Sequence, residues 1–250
     1  MNKLKFFLQF KVSTLILSFL FLLTPASHAI AADDEIQFTF AKPPVTKPID
    51  EGESARRLDL TYLHIDQSNA ITGTGVNFMI KKGYENGGMG HQWGLFGIKD
   101  EDDTLEGILI SYGGTGEINL GSSKNSVIFF GPSISFMSAQ QELVYTDPYT
   151  AKERKEDMTL LVLNVGIVAG YQHHIPMGKV RLTPYATVGA NYSSYYLEMP
   201  YYTDDIEEDS TSTMITVGFD FLLPGGISVA SMVQSGADDD VTMIQVGWNF

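Results

Sequence analysis

Three stretches between Thr159 and Phe221 alternate apolar and polar residues with a period of two. Thr159, Leu161, Leu163, Val165, Ile167, Ala169 and Tyr171 share one face, with Asn164, Gly166, Gly170 and Gln172 on the other. Val180, Leu182, Pro184, Ala186, Val188, Ala190 and Tyr192 oppose Arg181, Thr183, Tyr185, Thr187, Gly189, Asn191 and Ser193. Thr213, Ile215, Val217, Phe219 and Phe221 oppose Ser212, Met214, Thr216, Gly218 and Asp220. A period of two is that of a β-strand, whose successive side chains point to opposite faces. Soluble strands typically end after ~5–6 residues, whereas crossing a bilayer takes a strand of ~9–11. The apolar face of so long a ribbon meets either a packed core or hydrocarbon. In the second case the polar face lines a lumen.

The rest of the chain reads the same way. Leu58, Leu60 and Tyr62 share a face; so do Val76, Phe78 and Ile80, with Gly75, Asn77 and Lys81 opposite. Ile108, Ile110 and Tyr112 mark a strand that continues toward Leu120. Ile128, Phe130, Ile134 and Phe136 mark the next, opposite Gly131, Ser133 and Ser135. Ile227, Val229 and Val233 precede the final strand, in which Thr242, Ile244, Val246, Trp248 and Phe250 share a face. The stretch from His91 to Ile98 has no clear pattern. Short connections (Gly121–Ser126, Ile175–Lys179, Leu223–Gly226) alternate with longer polar ones (Tyr145–Asp157, Pro200–Ser210, Gly236–Asp240).

Residues 1–32 carry the three parts of a secretory signal: Lys3, Lys5 and Lys11, an apolar run from Val12 to Leu23, and a small-residue end around Ala29-Ile30-Ala31. The apolar run is shorter than the ~20 residues of a spanning helix. Residues 33–56, with Pro43-Pro44 and Pro48, read as a loosely ordered periplasmic segment, in which Ile36–Phe40 could add a short strand. The chain has no cysteine, so a disulfide framework is excluded. Its formal charge is −14, and cleavage of the signal would remove three lysines and no acid. That charge excludes nucleic acid as a partner, because phosphate binding needs a basic footprint.

With the signal, the long alternating strands, the loop rhythm and the terminal aromatic strand in view, the chain from residue 57 to 250 resembles a small bacterial outer-membrane β-barrel protein. The resemblance implies an antiparallel up-and-down transmembrane β-barrel. It also implies outer-membrane lipids and lipopolysaccharide as surroundings, and recognition by the barrel-assembly machinery through Phe250, Trp248, Val246, Ile244 and Thr242. Ten strands are counted, with eight the alternative if the region before Leu105 crosses fewer times. With the carboxy-terminus periplasmic, acidic clusters at Asp100–Asp103, Asp204–Asp209 and Asp238–Asp240 fall at the outer end with Tyr192, Tyr196, Tyr201 and Tyr202. Phe219, Phe221, Trp248 and Phe250 fall at the inner one, as two aromatic girdles would.

No chemistry-bearing motif stands out: there is no nucleophile elbow, phosphate loop or zinc spacing. No catalytic, cofactor or metal residue is therefore assigned, and the acidic loops read as solvated. His173 and His174 are adjacent and point to opposite faces, which is poor geometry for one metal. His64, Asp66 and Ser68 share a rim, the weak basis for an alternative function as a lipid-modifying enzyme acting on lipid A or phospholipid acyl chains. Arg181 and Asp220 are expected to face the lumen and neutralise each other there. The expected function is non-enzymatic: a narrow porin-like channel or a structural, surface-exposed barrel. A soluble exported β-barrel binding module is the third reading.

Overall fold

The computed structural model describes residues 50–66, 70–101, 105–146, 153–198, 206–236 and 240–250. The signal segment, the proline-rich linker and the Ile36–Phe40 strand lie outside them. The strands are β1 (Ser54–Asp66), β2 (Ile71–Tyr84), β3 (Gly87–Asp100), β4 (Leu105–Leu120), β5 (Ser126–Thr146), β6 (Glu153–His173), a three-residue β7 (Ile175–Met177), β8 (Val180–Glu198), β9 (Ile206–Leu222), β10 (Ile227–Ser235) and β11 (Asp240–Asn249). Each long strand pairs antiparallel with its sequence neighbours. β6 joins β8 past the small β7, and β1 closes on β11 from Arg57↔Asn249 to Asp66↔Asp240. The result is a closed ten-strand, up-and-down barrel. Closure pairs the backbone groups that hydrocarbon could not hydrogen-bond, and it removes sheet edges.

The pleat turns apolar residues outward. Val188, Val217 and Ile244 are 41%, 54% and 48% exposed, while Thr187, Thr216 and Gln245 beside them are 2%, 4% and 1% exposed. Leu58, Leu60, Leu95, Ile110, Phe130, Ile167, Val229 and Val246 continue the exposed apolar surface around the wall. In water this continuous oily band would be a large aggregation surface. In a bilayer it is the lipid-facing band of a membrane barrel. The reading as a soluble exported binder therefore loses its footing, because that barrel would turn these residues inward.

Several boundaries differ from expectation. β1 begins at Ser54, not Arg57, because residues 54–56 already pair with Ile80–Lys82. The poorly patterned stretch is the regular strand β3, in which Gly88, Gly90 and Gly94 occupy inward positions and so erase the contrast. The polar segment 145–157 is in large part strand: β5 and β6 run for 21 residues each and pair out to Thr146↔Glu153. Connections at the two ends are consequently similar in length. What differs is how far the strands extend beyond the span a membrane requires.

Two glycines explain how a narrow barrel holds large inward rings. The Phe96 ring lies over Gly75 and Gly94: a Cβ on Gly94 would come 2.5 Å from Phe96 Cε2, and one on Gly75 2.6 Å from Cδ1. Such distances are well inside carbon–carbon contact.

Candidate functional site: the filled lumen

The inward face of β1 reads Arg57, Asp59, Thr61, Leu63, Ile65, from the Phe250 end of the barrel to the Asp240 end, and all five are buried. Along β1 the order is ion-paired groups first, a neutral polar group next and hydrocarbon last; on other strands Met79, Val127 and Phe129 are buried beside the ion pairs as well.

At the Phe250 end Arg57 sits between two carboxylates. Its Nε donates to Asp59 Oδ1 at 2.6 Å, and Nη1 donates to Asp220 across the barrel. Lys81 and Glu117 form a second buried pair. A charge taken out of water is costly unless a counter-charge and hydrogen bonds meet it, and these groups are arranged to do that. The expected partner of Asp220 was Arg181. The structure instead leaves Arg181 half-buried at the rim, where it stands across from Leu222, while Thr183 stands across from Asp220. Arg181 thus sits one pleat too near the rim. Arg57 comes from a strand far away in sequence, a pairing that only barrel closure creates.

His174 lies in the connection between β6 and β7 and turns into the lumen mouth, where Nδ1 and Thr183 Oγ1 are 2.9 Å apart. Burial, aided by the nearby charges of Lys81, Arg181 and His173, pushes its pKa down to about 3 from 6.5. The imidazole is therefore neutral in the fold and protonates earlier in the unfolded chain. Its contribution to stability is complete above pH 6.5 and is lost as pH falls toward 3. A one-proton difference gives a slope of at most about 1.4 kcal/mol per pH unit. Urea titrations of wild type and His174→Asn between pH 7 and pH 4 should converge as pH falls. Parallel curves would show that His174 is not buried neutral.

The middle zone is neutral and hydrogen-bonded. Asn191 Nδ2 donates to Asn164 Oδ1 at 3.2 Å and to Ser193 Oγ at 2.9 Å, and Gln245 Nε2 donates to Thr61 Oγ1 at 3.0 Å. Above it, toward the Asp240 end, Leu63, Ile65, Ile71, Phe96, Ile98, Leu109, Met137, Leu160, Val162, Met232 and Met243 form one buried apolar cluster. The expected polar lumen is thus only part of the interior: its outer portion is packed like the core of a soluble protein. The period-two pattern concealed this, because there both faces of the strands are apolar, as in Leu160-Leu161-Val162-Leu163.

The acidic clusters split. Asp100 is buried, and its Oδ1 accepts the Leu105 amide at 3.0 Å, a turn-closing bond. Asp102, Asp103, Asp204, Asp205, Asp238 and Asp239 lie outside the described residues, as do Tyr201 and Tyr202. Among the described residues no group of three His, Cys, Asp or Glu could hold a metal ion. His64 and Asp66 stand on the outer face of β1, and Ser68 lies outside the described residues.

The lipid-facing wall carries polar clusters of its own near the Phe250 end. His91 Nδ1 and Tyr112 Oη are 2.9 Å apart, beside Trp93 and Phe78. Trp248 packs against Phe250 and Phe219 against Phe221. This belt has amphipathic rings at one boundary of the apolar band, where aromatic girdles sit. On the same wall His173 turns outward and meets Ser126 and Tyr171. Ser126 and His173 face each other across β5–β6, with Ser126 Oγ 2.8 Å from His173 Nδ1 and Tyr171 Oη 3.2 Å from Ser126 Oγ. Sequence reasoning missed this contact because it depends on the β5–β6 register across 47 residues.

No family model matches the chain, and no curated protein sequence does. Among solved structures, the chain is similar to outer membrane protease OmpT from Escherichia coli, with 8% identity over 79% of this chain and 96% of that one and a TM-score of 0.46. It is also similar to the β domain of the Bordetella autotransporter BrkA, with 12% identity, coverage of 80% and 99%, and a TM-score of 0.45. Ail of Yersinia pestis matches with 12% identity, the same coverages and a TM-score of 0.32. Likenesses of this size say nothing of activity.

Proposed function

We propose that the chain is a bacterial outer-membrane barrel whose lumen is structural and offers no aqueous path. Of the two expected forms, channel and structural barrel, the interior favours the second. The observation that carries this is the apolar cluster across the outer part of the lumen, where Leu63, Leu109 and Met137 are 0% exposed. An ion crossing it would shed its hydration against side chains that offer no replacement, and hydrophobic constrictions of this kind exclude water. The ion pairs beneath bind each other rather than a solute. The barrel-assembly machinery would engage the strand ending in Trp248 and Phe250, with outer-membrane lipid and lipopolysaccharide around the wall.

Purified barrel incorporated into planar bilayers should give no current steps at neutral pH and high salt. Regular steps abolished by heat unfolding would replace this reading with the channel. A double substitution, Leu63→Ser with Met243→Ser, places hydroxyls at two positions that face each other across β1–β11. It is expected to introduce leak current where the wild type has none.

A further inference from the structure

We infer that Ser126 and His173 form a serine-nucleophile site for acyl esters of membrane glycerophospholipids, on the outer wall near the Phe250 end. This goes beyond the structural role of the lumen and does not depend on whether the lumen conducts. A nucleophilic serine needs a base within hydrogen-bond reach, and here the reach is 2.8 Å, from Oγ to Nδ1. A donor is also needed where negative charge develops on the attacked carbonyl oxygen. The Tyr171 hydroxyl, 3.2 Å from Ser126 Oγ, is placed to turn toward that oxygen. The three side chains are half-buried: accessible from the bilayer side yet partly shielded from water.

Position in the wall specifies the substrate. Ser126 is the first residue of β5 and His173 the last of β6, so the pair stands at the rim of the lipid-facing band. Toward mid-membrane on the same outer faces lie Ile128, Phe130 and Ile167, which are 39%, 51% and 64% exposed. Acyl chains would lie along those residues, bringing an ester carbonyl, which sits where the chains meet the headgroups, to the level of Ser126. Among the described residues no carboxylate is hydrogen-bonded to the His173 ring. Its outer nitrogen is thus open to a lipid phosphate, which would supply the orienting anion from the substrate.

The chemistry balances without a further reagent. As Ser126 Oγ adds to the carbonyl carbon, its proton passes to His173 Nδ1 and the carbonyl oxygen takes the negative charge. Collapse breaks the bond to the glycerol oxygen, which leaves with the proton from Nδ1, and an acyl-serine remains. Water then adds with His173 as base, releasing the fatty acid and restoring the serine hydroxyl.

The test uses the folded full-length barrel in phosphatidylethanolamine vesicles, with heat-shifted gel mobility confirming closure of each variant. A fluorophosphonate probe should add one phosphonyl group, located on Ser126 by peptide mass. Wild type should release free fatty acid, and Ser126→Ala or His173→Gln should lower both readouts at least about 100-fold. Tyr171→Phe should keep the labelling but slow fatty-acid release, as loss of an oxyanion donor does. Wild-type protein that is closed, takes no probe and releases no more fatty acid than Ser126→Ala would overturn the inference. A labelled barrel that also conducts would overturn the sealed lumen instead.

Discussion

Replacing Arg57 by methionine should be among the most damaging single substitutions in this barrel, costing about 3–5 kcal/mol. The side chain is fully buried, and it holds Asp59 from its own strand and Asp220 from across the lumen. Without it, the buried carboxylates of Asp59 and Asp220 lose the guanidinium they share. Removing one member of a buried ion group leaves charge uncompensated, whereas replacing all members is often tolerated. The combined variant Arg57→Met, Asp59→Asn, Asp220→Asn should therefore recover most of the loss. Urea unfolding in lipid, followed by tryptophan fluorescence from Trp93 and Trp248, would measure both. At typical urea slopes the single variant's midpoint should fall by about 1–3 M. A loss below about 1 kcal/mol, or a triple variant no better than the single one, would mean that the ion group does not hold the strands together.

Phe96→Ala should cost about 3–5 kcal/mol, the range for truncating a buried aromatic side chain. Its ring is 1% exposed and fills the space over Gly75 and Gly94. The sharper expectation concerns Gly94→Ala. In the wild type the added methyl would press on the Phe96 ring and the Ser111 hydroxyl, so this variant alone should be destabilised. In the Phe96→Ala background the ring contact is gone, and the methyl meets only the Ser111 hydroxyl, the end of a small side chain that can turn away. The double-mutant cycle should therefore show a coupling of about 1–3 kcal/mol, as residues in direct contact do. Additive effects would mean that the ring does not lie over Gly94.

What the sequence disclosed, and what it concealed, follows from the range of the interactions. The facing of Val188 against Thr187, or Ile244 against Gln245, is decided by adjacent residues and was legible at once. The opposite facing of His173 and His174 was legible for the same reason. β3 was obscured because glycine occupies positions where polar side chains would have marked the inner face. Arg57 and Asp220 are 163 residues apart and meet only after closure. A local reading therefore paired Asp220 with the nearer Arg181. The oily outer part of the lumen escaped notice because alternation reports a contrast between faces, and two apolar faces give none. Ser126 and His173 become visible as a pair only when β5–β6 register is known to the residue.

The uneven strand lengths carry a consequence for contacts between copies. β4 stops pairing with β5 at Leu105↔Gln141, and β8 stops pairing with β6 at Thr159↔Glu198, yet β5 and β6 stay paired to Thr146↔Glu153. Among the described residues, the final stretch is thus a two-stranded ribbon that extends past the paired ends of β4 and β8, with both outer margins unpaired there. Such margins invite another chain to add itself, and charge along them is a common deterrent. The run Glu153-Arg154-Lys155-Glu156-Asp157 puts five charged residues in succession at that place. The deterrent therefore stands on the β6 margin, while the β5 margin, Glu142-Leu143-Val144-Tyr145-Thr146, carries one charge and is the less guarded side against strand addition between adjacent barrels.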